Sequence, residues 1–106
     1  MSRIGTCFRF TARAGERERV AEHLLSAAEI LEAFPGCELY LISTSPAEPH
    51  AVWVFEVWNS PEDHAASLSL EGIPTLIEAT LPLLDGPPEQ TQVSPLGGKG
   101  LARRLD

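Results

Sequence analysis

Ile4, Thr6, Phe8 and Phe10 fall on one side of an extended backbone, and Gly5, Cys7, Arg9 and Thr11 fall on the other. This period of two predicts a strand from Ile4 to Ala12 that ends before Gly15. From Glu16 to Phe34 the period lengthens, and Val20, Leu24, Ala27, Ala28, Leu31 and Phe34 recur at helical spacing. Arg17, Glu18, Glu22, Glu29 and Glu32 lie mostly away from that stripe, as in a helix half buried on a core. The next two residues stop it: Pro35 disfavours helix at Phe34, and Gly36 can adopt positive φ. Cys37 to Thr44 then reads as a second strand.

The Pro-containing loop "SPAEPH" leads into a third strand at Ala51. Here Trp53, Phe55 and Val57 share one side, and Val52, Val54, Glu56 and Trp58 share the other. Both sides are largely apolar, so both are expected to be buried. "SPED" has the form of a helix start, with Ser60 as N-cap, Pro61 at the first helical position and Asp63 answering the cap. That helix runs to about Leu68. After Gly72, the residues Ile73, Leu76, Ile77, Leu81 and Leu84 outline another helical piece, whose last turn Pro82 should disturb. "DGPP" is a turn and "EQTQVSP" a polar final strand. Residues 1–95 are expected to form one domain, and residues 96–106 a loosely held tail.

The order β-α-β-β-α-β predicts an α+β, ferredoxin-like sandwich: an antiparallel sheet with both helices on one face and strands in the spatial order fourth, first, third, second. In that frame we expect the helices to cover Trp53, Phe55 and Val57, which leaves Val54 and Trp58 on the bare face. Burying each large apolar side chain stabilises by roughly 1.5 to 3 kcal/mol, so a second copy of the chain, sheet to sheet, is the expected cover. Cys7 and Cys37 fall on strands that the third strand separates, too far apart for an intrachain disulfide.

Composition narrows the partners. The 106 residues carry a formal charge of −7, which argues against nucleic acid and anionic membrane, and the adjacent basic pair Arg103 and Arg104 makes no patch. The N-terminal segment alternates like a strand and lacks the form of a signal peptide, and no apolar run is long enough to span a bilayer. A cytoplasmic location is the expectation. No metal-ligand spacing, Gly-rich phosphate loop or Ser/His/Asp arrangement is present, so neither metal nor cofactor is expected.

Glu56-x-Trp58-x-Ser60 at the strand-helix junction, Gly15 before the first helix, and "FPGCELY" opening the second strand together resemble the antibiotic biosynthesis monooxygenase family over about residues 4–95. The resemblance implies a dimeric α+β barrel with a pocket between sheet and helices in each subunit. It also implies kinship with cofactor-independent oxygenases of polyketide quinols, quinol monooxygenases and heme-degrading enzymes. Many members carry a histidine where this chain has Ser67, with His64 one helical turn earlier. The positions that heme-degrading relatives use are filled by Phe8, Ser67 and approximately Ile77, none of which ligates iron.

Oxygenation of a phenol or quinol without a cofactor needs a base, a polar group for the developing charge, and an apolar cavity open to O₂. His64 is the candidate base, and Tyr40 a phenolic donor to a bound oxygen. Phe8, Phe10, Trp53 and Phe55 are the candidate aromatic walls, with Ser67 beside them. Each has a plain structural alternative: a solvated first-turn histidine, an interface tyrosine, ordinary core aromatics. Arg9 and Glu56, expected on one sheet face, could hold a substrate oxygen but fit better as a cross-strand ion pair at the dimer-facing surface. His23, among exposed helix residues, and His50, in the Pro-rich loop, are weaker candidates. Two functions remain: a small oxygenase acting on an aromatic quinol with O₂, or a non-catalytic dimeric module that binds a small hydrophobic molecule.

Overall fold

The computed structural model describes residues 3–101. β1 (Ile4–Thr11) leads through a turn at Gly15, whose φ is +81°, into α1 (Arg17–Leu31). β2 (Cys37–Ser45) and β3 (Glu48–Trp58) form a hairpin, followed by α2 (Pro61–Ser67), α3 (Ile73–Thr80), a 3-10 turn (Leu81–Leu83) and β4 (Glu89–Val93). The sheet is antiparallel with the order β2-β3-β1-β4, the ferredoxin-like arrangement expected from the chain order.

The element boundaries follow local chemistry. Ser60 Oγ accepts from the Asp63 amide at 3.1 Å, and Pro61 occupies the first turn, so α2 starts where its capping signature lies. Pro82 ends α3 and tightens the chain, with Leu84 N donating to Leu81 O. Gly72 caps α3 at φ +94°, and a Cβ there would meet Ile30 Cδ1 at 2.9 Å. That position needs glycine for its backbone, whereas the Ile30 side-chain tip could move aside. Two boundaries differ from expectation by three residues. α1 stops at Leu31, three residues before Phe34. β3 begins at Glu48, because only Pro46 and Ala47 turn the hairpin. Pro49 fits within β3 because pairing with β1 stops at Thr11↔Ala51. Residues 94–101 add no further helix or strand, and residues 102–106 of the expected loose tail, with the Arg103–Arg104 pair, lie outside the described residues.

The helices cover the opposite side of β3 from the one expected. Across β1 and β3, even-numbered residues face even-numbered ones: Thr6↔Glu56, Phe8↔Val54 and Phe10↔Val52. Directly opposed residues share a face. Val52 and Val54 are fully buried in a core with Ala12, Val20, Leu24, Leu83 and Leu84, and Trp58 is 1% exposed. Trp53 and Phe55 instead lie on the bare face, with Phe55 40% and Leu41 52% exposed. Alternation within a strand fixes two sets of side chains. Which set meets the helices depends on pairing parity, and a one-residue slip exchanges them.

The parity also separates Arg9 from Glu56. Arg9 stands opposite Trp53 on the bare face, its guanidinium carbon 5.8 Å from the indole ring, and it donates to Glu48 and Glu89. Glu56 points to the helix side. The expected Arg9–Glu56 pair is therefore replaced by ion pairs between Arg9 and those two glutamates.

Candidate functional site

β3 ends by presenting Glu56 and then, two residues on, Trp58 to the helix layer. Trp58 Nε1 donates to Glu56 Oε1 at 3.0 Å, so the indole locks the carboxyl in place. The capped first turn of α2 then carries His64 back over the strand it has just left. Its ring stacks on Trp58 with centroids 4.8 Å apart and planes 16° from parallel, and its Nε2 lies 3.7 Å from Glu56 Oε1. Phe34 meets Trp58 edge-on at 6.4 Å. Tyr40 stands directly across from Glu56 on β2, and Thr6 across from it on β1.

Of these side chains, Glu56, Trp58, His64 and Tyr40 line one end of a cavity of about 200 Å³ between the sheet and the three helices. Its walls are mostly apolar, with Phe8 and Phe10 on the sheet, Leu24 on α1, and Leu76 and Ile77 on α3. Phe8 and Phe10 lie with ring centroids 5.7 Å apart. Burial acts on the polar groups in opposite directions. It raises the Glu56 carboxyl to about 7, against the opposing effect of the Trp58 N–H, and it lowers the His64 imidazole. Near neutral pH the pair holds an imidazole without its extra proton beside a carboxyl that is close to half ionised. Tyr40 is pushed well above the ordinary phenol value, first by burial and then by the Glu56 charge, so it remains a hydroxyl. Among the described residues no protein group takes that hydroxyl in a hydrogen bond, which leaves it available to a ligand.

Of the residues singled out from sequence, the structure brings His64, Tyr40, Phe8, Phe10 and Ser67 to this one cavity. Ser67 is 4% exposed, and its hydroxyl donates to the His64 carbonyl at 2.6 Å, so its proton serves the helix while its oxygen still can accept. Trp53 and Phe55 do not reach the cavity, for the parity reason given above. His50 is exposed on β3. Glu56, expected in an ion pair on the dimer-facing side, lines the cavity instead, and its i, i+2 relation to Trp58 was visible once the correct face was known. His23, expected among exposed helix residues, also lines the cavity. Thr80 escaped sequence reasoning, because it stands 57 residues away and carried no local signal, yet His23 Nδ1 lies 3.0 Å from its Oγ1. Among the described residues no cluster of three His, Cys, Asp or Glu side chains could hold a metal ion, and no helix is long and apolar enough to cross a membrane.

A four-stranded antiparallel sheet, helices on one face and a cavity between them define an α+β ferredoxin-like domain. The family model for antibiotic biosynthesis monooxygenase matches residues 4–78, and the chain belongs to that family. A structure from Chloroflexus aurantiacus J-10-fl, solved as a candidate antibiotic biosynthesis monooxygenase, is 35% identical and superposes with a TM-score of 0.86 over 95% of this chain and 100% of that one. A candidate of the same name from Nitrosomonas europaea is 17% identical, with a TM-score of 0.85 over 93% and 95% of the two chains. Rv0793 from Mycobacterium tuberculosis is 20% identical, with a TM-score of 0.81 over 93% and 100%. The last two share the fold alone. No curated protein matches the sequence.

Proposed function

We propose that this protein is a cofactor-independent monooxygenase of a small aromatic phenol or quinol, working as a homodimer. The observation that carries the reading is the convergence of His64 and Glu56, held by Trp58, at one end of a mostly apolar cavity. Family membership supplies the reaction class and the geometry supplies the roles.

In this mechanism the uncharged His64 takes a proton from the substrate, and the neighbouring Glu56 carboxylate offsets the imidazolium charge. The resulting electron-rich anion passes an electron to O₂, and the radical pair joins as a carbon-bound peroxide. Protonated by His64, the hydroperoxide loses water together with the hydrogen still on that carbon. A substrate O–H and ring C–H, equivalent to a CH₂ beside the carbonyl of the keto form, thus react with O₂ to leave two carbonyls and water, with four electrons passing to dioxygen. Tyr40 donates to the substrate oxygen on which charge gathers. The apolar walls keep bulk water from the anion.

The bare sheet face supports the dimer, since Leu41, Phe55 and Val93 are half exposed there around Trp53. A second copy applied to that face would cover them and close the barrel.

The test is oxygen consumption by metal-free protein across hydroquinones and anthrone-like phenols. Wild type should exceed the spontaneous rate, and His64→Ala should lose 10²-fold or more of the excess. Undiminished uptake in His64→Ala would remove the base. No uptake in wild type, with ligand binding retained, favours the second reading, a non-catalytic binding module. Ser67 supports that alternative, because it stands where many relatives carry histidine and its proton is committed to the His64 carbonyl.

A further inference from the structure

The cavity has a second polar end. His23 and Thr80 both line it, and their contact fixes the direction of a hydrogen bond. The Thr80 hydroxyl has one proton, which it gives to the Leu76 carbonyl at 2.7 Å. Its oxygen therefore accepts at 3.0 Å from His23, and the proton on that imidazole resides on Nδ1. In the neutral ring Nε2 is then a bare acceptor. The Leu76 carbonyl and the Thr80 hydroxyl act as a relay that sets the tautomer, as an outer partner does for a metal-bound histidine.

This end lies away from His64. α3 runs antiparallel along α1, since Gly72 passes Ile30 at its start and Thr80 reaches His23 at its end. His64 stacks on Trp58, whose other ring neighbour is Phe34, beyond the last turn of α1. His23 stands eight residues before Leu31, about 12 Å of helix at 1.5 Å per residue. Between the two ends the walls are apolar: Phe8 and Phe10 from the sheet, Leu24 and Leu76 from the helices. The volume of about 200 Å³ exceeds the cavity of about 150 Å³ that accommodates benzene.

We propose that His23, oriented by Thr80, is a ligand-binding residue that accepts a hydrogen bond from a hydroxyl at the far end of the ligand, so that the cavity selects flat aromatic molecules with hydroxyls at opposite ends. A singly hydroxylated ring satisfies one pole and leaves the other without a partner, whereas a diol satisfies both. The oxygenase reading supplies only the expectation that such a molecule is oxidised; selection itself is a property of binding and is measured without turnover.

The experiment is calorimetric titration, under anaerobic conditions, with 1,4-dihydroxynaphthalene and with 1-naphthol. Wild type should bind the diol more tightly. His23→Asn keeps an amide where Nδ1 stands, and so retains the bond to Thr80, but presents no acceptor in place of Nε2. It should lose about tenfold in affinity for the diol, the effect of one net hydrogen bond, and bind 1-naphthol as wild type does. His23→Gln, whose amide reaches the Nε2 position, should recover most of the loss. Equal affinity of His23→Asn and wild type for the diol, an equal loss for both ligands, or no binding of either ligand by wild type would overturn the assignment. Diol selectivity that vanishes in His23→Asn, in a protein that consumes no oxygen, upholds it while refuting the oxygenase reading.

Discussion

Glu56→Gln should change the pH dependence of stability in a direction that the burial of this side chain dictates. In the unfolded chain the carboxyl titrates at an ordinary value near 4.5, and in the folded protein at about 7. Between those values the folded state binds more protons than the unfolded state, so stability falls as pH rises through that window and stays lowered above it. The interval corresponds to about 3 kcal/mol at 1.36 kcal/mol per unit. His64 acts in the opposite sense. Its folded value is depressed by burial, so its contribution is lowest in acid and recovers as pH rises to about 6.5. Glutamine does not titrate, and its amide oxygen can still accept from Trp58. The difference in unfolding free energy, variant minus wild type, should therefore grow by about 3 kcal/mol in favour of the variant between pH 4.5 and pH 8. Other carboxylates cancel in the difference. The assay is urea denaturation followed by tryptophan fluorescence at four or more pH values and one protein concentration, since dimerisation is linked to stability. Repeating it with His64→Leu in both proteins removes the neighbouring titration. Parallel curves for wild type and Glu56→Gln across that range would show that the carboxyl does not titrate there, and would remove the mixed-protonation pair from the mechanism.

Trp58→Phe deletes the N–H that restrains Glu56 and leaves a void under His64. It should destabilise by about 2 to 4 kcal/mol in chemical denaturation and move the Glu56 titration, followed by carboxyl carbon NMR, further upward. Ser60→Ala removes the α2 cap and should cost about 1 kcal/mol, with increased amide exchange confined to the first turn that carries His64. Phe55→Asp places a charge on the bare sheet face and, under the proposed sheet-to-sheet dimer, should shift the protein from dimer to monomer in light scattering while the monomer keeps its helical circular dichroism.

Much of the architecture was legible because it is local. The period of two in Ile4 to Thr11, the stripe from Val20 to Leu31, the Ser60 cap with Pro61, and the breaks at Gly15 and Pro82 each depend on neighbours within a few residues. Their order then admits few topologies, and the observed β2-β3-β1-β4 sheet is the one expected. His64, Tyr40, Phe8, Phe10 and Ser67 were legible as candidates for the same reason, since their phase on single elements brings them to one cavity.

What the sequence determined by itself is therefore the identity of each element and the two sets of side chains on every strand. Tertiary structure decided which set meets the helices. Trp53 and Phe55 looked at least as suited to a core as Val52 and Val54, and only the pairing of Phe8 with Val54 placed the aromatics outside and Glu56 inside. It also brought His23 to Thr80 across 57 residues and set Glu56 beside His64. Protonation behaviour belongs to that second group as well, because it depends on lost water and gained neighbours, and neither is a property of a residue until the chain has closed around it.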